Sequence, residues 1–346
     1  MASGSLPSVA ICIPTYNQAR FLQRAVESAL GQDYSGPTEI WVADDASTDG
    51  TAVLLERLRS EHPELEAIRQ ETNVGIAANV SALLRAPRSE LLVRLDSDDE
   101  LMPTFLTRLL AAMAAHPAAG YGHSGVIEID AEGRPRSTRR LARGSGFQPA
   151  PEALRASLSG YRTVANVLVF RREALLELDF YAGRPEFVED YDLAVRMADA
   201  GYGNVYVDEP LARYRVWEDE VGTRSRRKAL QLSGYARIFD EVFEPAWQRR
   251  GWDLGPVRRR RRRLAVHHCA HCFGPQYGVA ERARLVALLK ELGDGPRLRL
   301  RLRLCELGLG PRIERAGRLR GRAKALAKAA LKRSAQIPSR LRGRPG

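Results

Sequence analysis

Apolar residues in the first half of the chain recur in two alternating rhythms. Residues 9–13 form a continuous apolar run, the pattern of a strand covered on both faces, and the run stops at Pro14. From Ala19 onward Phe21, Leu22, Ala25, Val26, Ala29 and Leu30 recur at helical spacing, and Gly31 provides a stop. The alternation continues with strands at 39–43, 65–69 and 91–95. Between them lie a helix capped by Ser47 or Asp49 and ended by Pro63, and a helix over 76–84; a helix over 103–115, opened by Pro103, follows the last strand. This βαβαβαβα order predicts an α/β fold: a mostly parallel sheet with helices on both faces, which binds ligands beyond the carboxyl ends of its strands.

Past residue 120 the order loosens. A strand is expected over 121–129, then a Gly/Arg-rich stretch over 133–146, a short helix over 151–158 and a strand over 164–170. A helix over 191–200 and two strands, 205–208 and 211–217, complete this half. Beyond Gly222 the composition turns to Arg, Leu and Ala, so the expected division is a tail over 1–7, a core domain over 8–221 and a basic, mainly helical region over 222–346. Strict Arg/Leu alternation over 297–304 reads as a two-faced strand, and 317–334 reads as a basic amphipathic helix.

Charge sharpens that division. Residues 1–221 hold 22 Lys and Arg against 33 Asp and Glu, a net −11, whereas residues 222–346 hold 32 against 9, a net +23. An acidic front half argues against nucleic acid as its ligand, because phosphate backbones are bound chiefly through Lys and Arg. No run approaches the roughly 20 apolar residues of a membrane span, and residues 1–7 lack the pattern of a secretory leader. Four scattered cysteines are too few for a disulfide framework. The expectation is a cytoplasmic protein. Cys12 reads as core, and the run His267, His268, Cys269, His271, Cys272 lacks the second ligand pair of a zinc finger.

Three strand ends carry polar groups: Pro14, Thr15, Tyr16 and Asn17; Asp44 and Asp45; and Asp96, Ser97, Asp98 and Asp99. In an extended segment Asp96 and Asp98 point to one side, and two hard oxygen donors suit Mg²⁺ or Mn²⁺. An acidic crevice accepts a diphosphate only with a divalent cation between them. Aspartate is also an ordinary turn former, and either cluster alone is accounted for that way. Neither a G-x-G-x-x-G fingerprint nor a G-x-x-x-x-G-K-[ST] loop is present, which disfavours a Rossmann dehydrogenase and a P-loop enzyme.

The stretches VAICIPTYNQARFLQRAVESALGQ, EIWVADDASTDGT, NVGIAAN and LLVRLDSDDELMP, in this order and spacing, resemble the nucleotide-sugar half of family 2 glycosyltransferases. The resemblance covers roughly residues 8 to 217 and implies the GT-A fold, a Rossmann-like sheet with helices on both faces, whose domain over 8–221 divides into a nucleotide-sugar half, 8–100, and an acceptor half, 101–221. It implies that Pro14, Thr15, Tyr16, Asp44, Asp45, Asn73 and Gly75 surround the nucleoside, that Asp96 contacts ribose, and that Asp98, with Asp96, meets a metal-bound diphosphate. EFVEDYDLAVRMADAGY matches the family's E-D motif, which implies Asp190 as general base with Glu189 beside it. Arg196 reads as a structural partner of nearby acids.

Two departures stand out. Ala77, Ala78 and Asn79 replace a common A-R-N, and Trp217 stands where many members have a histidine metal ligand, leaving Asp98, Glu218 or Asp219 for the metal and making Trp217 a candidate platform for an acceptor sugar. The implied activity is inverting transfer from a nucleoside-diphosphate sugar, with UDP the expected nucleotide, to a carbohydrate or lipid-linked acceptor in bacterial surface polysaccharide or glycolipid synthesis. Mn²⁺ or Mg²⁺ is the implied cofactor. The basic region suits an anionic membrane surface on the cytoplasmic side better than nucleic acid, since no recognised module accompanies the charge. The alternatives are an inactive GT-A protein acting as a scaffold through its basic tail, and a nucleotidyltransferase.

Overall fold

The computed structural model describes residues 6–181, 188–216, 227–310 and 312. They fall into two compact units, residues 1–257 and 258–346. The first is built on a sheet whose central strand, β1 (Val9–Thr15), is buried along its whole length. It pairs in parallel with β2 (Thr38–Asp44) on one side and β4 (Leu91–Arg94) on the other, and β2 pairs in parallel with β3 (Leu65–Arg69). Helices α1 (Ala19–Leu30), α2 (Thr51–Glu61) and α3 (Ile76–Arg85) connect these strands.

The sequence explains why both faces are covered. Val9, Ile11 and Ile13 project to one side, among Leu22, Val26, Leu55 and Leu58 of α1 and α2; Ala10 and Cys12 project to the other, among Val80, Leu83 and Leu84 of α3. Burying a side chain such as Ile11 stabilises the fold by about 1.5–3 kcal/mol. Cys12 is core, and burial holds its thiol well above the ordinary range.

The second half of the sheet mixes directions. After β5 (Glu100–Leu101) and α4 (Phe105–Ala114), β6 (Ala119–Ile129) runs parallel to β10 (Gly203–Arg215), and β9 (Leu168–Arg171) is inserted antiparallel between β4 and β6. The path reads β3-β2-β1-β4-β9-β6-β10-β5, with β7 (Pro135–Arg139) on β6 and β8 (Gly146–Gln148) on β10. Helices α5 (Ala150–Ser157), α6 (Arg172–Glu177) and α7 (Glu189–Asp199) complete this half.

Several expectations need correction. The two strands expected over 205–208 and 211–217 are one strand, β10, whose register with β6 shifts around Pro210; proline removes a ladder donor, and a bulge carries the strand past it. The Gly/Arg-rich stretch over 133–146 contains β7 and the start of β8. The alternating segment over 297–304 is not a strand but lies in the helix Pro296–Glu306, with Leu298, Leu302 and Cys305 buried at helical spacing and Leu300 exposed. Leu and Arg are strong helix formers, and Pro296 starts the helix at its first turn.

The chain beyond 222 also divides differently from its composition. Helices Lys228–Arg237 and Glu244–Arg249, joined by a wide π turn, belong to the first unit, where Trp247 stacks edge-on with Phe243 and Trp252. The second unit contains the helices Val279–Gly293 and Pro296–Glu306. The amphipathic helix expected over 317–334 lies outside the described residues, as do Trp217, Glu218 and Asp219.

Candidate active site

Parallel pairing puts the carboxyl ends of β2, β1 and β4 side by side. Thr15 is in register with Asp44, and Cys12 is in register with Arg94 two residues before Asp96. The loops after β1 and β2 are then tied together: Asn17 N–H donates to Ser47 Oγ at 2.8 Å, Thr48 N–H to Asn17 Oδ1 at 2.8 Å, and Ala19 N–H to Asp49 Oδ2 at 3.2 Å. Asn17 and Ala46 both adopt positive φ, 52° and 57°. For Ala46 this left-handed geometry costs on the order of 1 kcal/mol.

Asp44 and Asp45 differ in employment. Asp45 accepts from Val74 N–H at 2.8 Å and Gly75 N–H at 3.0 Å, so it fastens the N-x-G loop at the start of α3, and Asn73 Nδ2 donates to its carbonyl at 3.3 Å. Asp44 is fully buried; its Oδ1 accepts from Ser47 N–H at 3.0 Å, while Oδ2, 3.5 Å from Arg69, receives no hydrogen bond. Thr15 Oγ1 is likewise buried without a partner at the paired position, and Tyr16 is exposed. Asn79 Nδ2 donates to Ala43 O at 2.9 Å, so α3 pins the end of β2.

After β4 the D-S-D-D-E loop separates its acids by environment. Asp96 and Asp98 are half-buried, whereas Asp99 is buried, and burial, with Asp98 and Asp96 nearby, raises its pKa well above the carboxylate range. Arg215, at the end of β10, holds the loop in place: its N–H donates to Asp99 Oδ1 at 2.8 Å, Nε to Asp98 O at 2.7 Å, Nη2 to Glu100 at 2.7 Å and Nη1 to Asp130 O at 2.9 Å.

Among the described residues no group of three or more His, Cys, Asp or Glu side chains converges to hold a metal. Residues 97 and 98 form a turn closed by Asp99 N–H donating to Asp96 O at 2.9 Å, so the extended geometry expected to aim Asp96 and Asp98 to one side is not found; by chemistry the two carboxylates remain hard oxygen donors of the kind Mg²⁺ or Mn²⁺ takes, with water and phosphate oxygens completing the shell. The His/Cys run gives no such group either, although Cys269 and Cys272 are buried.

Asp190 opens α7 beside Glu189 and Asp192, carboxylates that favour a helix N-terminus. It is ion-paired with Arg94 and accepts from Tyr181 Oη at 3.0 Å; the same Arg94 donates through Nε to Asp96 at 3.0 Å. Burial raises the Asp190 pKa, and Arg94 opposes that rise. Glu189 is buried with Oε2 unpartnered, and burial, then Asp190, pushes its pKa up to about 7. A small cavity lined by Tyr121, Tyr161, Leu168, Phe170 and Leu193 adjoins Asp190. Arg196 is a structural partner, donating to Asp192 at 2.7 Å and to Leu178 O and Phe180 O.

The structure thus brings Asp96 and Asp190 onto one guanidinium, although 94 residues separate them. Sequence reasoning passed over Arg94, Tyr181 and Arg215. Arg94 had a signal: a cation within the apolar run LLVRL is costly to bury without anionic partners.

Residues 10–177 match the model of "Glycosyl transferase family 2". An N-acetylglucosaminyltransferase of Sinorhizobium fredii is 28% identical over 223 residues, 61% of this chain and 53% of that protein. An uncharacterized protein of Mycobacterium bovis is 32% identical over 298 residues, 82% of this chain and 79% of its own. The crystal structure of S. aureus TarS 1–349 in complex with UDP-GlcNAc superposes with a TM-score of 0.60 at 18% identity, covering 83% of this chain and 80% of that one, which establishes the GT-A fold. The chain spans about half the length of the N-acetylglucosaminyltransferases it matches. By its matched residues and its sheet, the chain belongs to glycosyl transferase family 2.

Proposed function

We propose that the protein is an inverting glycosyltransferase that moves a sugar from a UDP-sugar to an acceptor hydroxyl. The observation that carries this reading is the pairing of Asp190, at the start of α7, with Asp96, beyond the end of β4, through one buried arginine. A donor-side carboxylate and a candidate base thereby share one site. The S. fredii relative's name and the sugar nucleotide in the TarS complex make UDP-N-acetylglucosamine the first donor to try.

In the proposed reaction Asp190 takes the proton of the acceptor hydroxyl as its oxygen attacks the anomeric carbon, and the bond from that carbon to the diphosphate breaks. One displacement inverts the anomeric centre, and UDP leaves with both bonding electrons. Asp98 and Asp96 would hold Mn²⁺ or Mg²⁺, which when bound offsets the charge of the departing diphosphate. Asp44 Oδ2 and Thr15 Oγ1, buried acceptors in need of donors, suit the N–H and hydroxyl groups of a nucleoside.

The reading extends to the acceptor. Exposed Arg258, Arg259, Arg262 and Arg263 lie on the helix Gly255–Cys269, and a basic surface of this kind attracts anionic lipid. We assign the enzyme to the inner face of a membrane, acting on a carbohydrate or lipid-linked acceptor in surface polysaccharide or glycolipid synthesis. No helix among the described residues is long and apolar enough to cross a membrane.

The test is a panel of nucleoside diphosphates and their sugars followed by calorimetry and product analysis, with Mn²⁺, Mg²⁺ or chelator. Metal-dependent binding of UDP and release of UDP from a UDP-sugar are expected. Release of pyrophosphate, or metal-dependent binding without turnover of any donor, would contradict the reading.

A further inference from the structure

Arg94 is the last residue of β4 and is almost wholly buried. It is in register with Cys12 of β1 on one side and Leu168 of β9 on the other, where the parallel and mixed halves of the sheet meet. Removing a guanidinium from water costs several kcal/mol unless carboxylates and hydrogen bonds replace the water. Here they do: Nε donates to Asp96 Oδ1 at 3.0 Å, Nη1 meets Asp190 Oδ1, and Nη1 lies 3.4 Å from Tyr181 Oη. Tyr181 closes the set, donating to Asp190 at 3.0 Å with its ring 5.8 Å from the guanidinium carbon. Although burial works against its charge, Asp190 and Asp96 keep Arg94 a firm cation.

We infer that Arg94 is a positioning residue, whose guanidinium sets the carboxylate of Asp190 at a fixed place relative to Asp96. The inference rests on the reading of Asp190 as the base. Its physical content is the shape of the fork. Arginine presents donors on separate nitrogens of a rigid plane, so one side chain can hold two carboxylates at a fixed separation. Lysine brings the same charge as a point on a flexible stem and cannot reproduce that spacing. If Arg94 only neutralised buried acids, lysine would serve equally well. If it positions Asp190, a shift of about 1 Å is enough to cost up to about 100-fold in rate.

A double-mutant cycle on the full chain separates these roles. The variants are Arg94→Lys, Tyr181→Phe, Asp190→Asn, and each of the first two combined with the third. Two quantities are read: UDP affinity by calorimetry with Mn²⁺, and release of UDP from UDP-N-acetylglucosamine with water as acceptor. Arg94→Lys should keep UDP affinity within about threefold and lower kcat by about 10- to 100-fold with KM little changed. It should add no further loss in the Asp190→Asn background, because it acts through that carboxylate. Tyr181→Phe should follow the same pattern at about threefold, and it decides the question if Arg94→Lys does not fold. Wild-type kcat in Arg94→Lys, or losses that multiply with that of Asp190→Asn, would overturn the inference. Wild-type kcat in Asp190→Asn is a different failure: it removes the base itself and leaves Arg94 as an ion pair of the fold.

Discussion

Glu189 carries a buried carboxylate with an unpartnered oxygen, and its pKa of about 7 lies well above the ordinary value of 4.5. A raised acid is favourable while neutral, so its contribution is fully present below about pH 4.5 and is lost as pH rises through 7. Glu189→Gln should therefore melt a few degrees above the wild type at pH 8, with the difference vanishing toward pH 4.5, as thermal scans across that range would show. An unchanged difference across that range would count against a buried charge at this position. The E-D pair was legible as a motif, with Asp190 implied as the base, but the difference in environment between the two acids was not. Two adjacent carboxylates look alike in sequence, and only the fold gives Asp190 the cation and the tyrosine and leaves Glu189 Oε2 without a donor. Arg94 was legible as an oddity in an apolar run, but its partners lie 2 and 96 positions away.

At the scale of elements, the strands and helices of residues 9–101 follow the apolar rhythm closely, because a parallel sheet covered on both faces leaves little choice of register. What the rhythm did not reveal was how loops are fastened. Asp45 reads as a ligand of a nucleoside or as an ordinary turn former, and in the structure its carboxylate accepts from the N–H groups of Val74 and Gly75, just before α3. Asp45→Ala should cost about 1–3 kcal/mol by denaturant unfolding, in the range of lost hydrogen bonds to a charged group. A variant as stable as the wild type would leave the carboxylate without this structural task. The Arg/Leu repeat over 297–304 misled for a physical reason. Its period of two is a strand signal only if the alternate leucines share one buried face, and here Leu298 and Leu302 are buried about one helical turn apart while Leu300 faces solvent.

For the whole molecule, the division into compact units falls after residue 257, not at the compositional boundary near 222. Residues up to 257 form one unit, so the helices 228–249 take part in the acidic half's architecture despite their basic sequence context. The exposed arginines of the helix Gly255–Cys269 give the membrane proposal its concrete form. Replacing Arg258, Arg259, Arg262 and Arg263 with Gln should reduce co-sedimentation of the full chain with phosphatidylserine vesicles at low salt, at about 1 kcal/mol per well-placed arginine, without changing UDP affinity. Equal recovery of both proteins in the supernatant would end the membrane reading. The identity of the sugar and acceptor was not legible, because the side chains expected to set it, in the irregular loops between Gly133 and Gly160 and in the tail, follow no periodic pattern.

The measurement that bears most directly on the account is the paired determination of UDP affinity and transfer rate for Asp190→Asn in the presence of Mn²⁺. A base acting only on the acceptor should leave UDP affinity within about threefold of the wild type while kcat falls by about 10²- to 10⁴-fold. Transfer at the wild-type rate would contradict it.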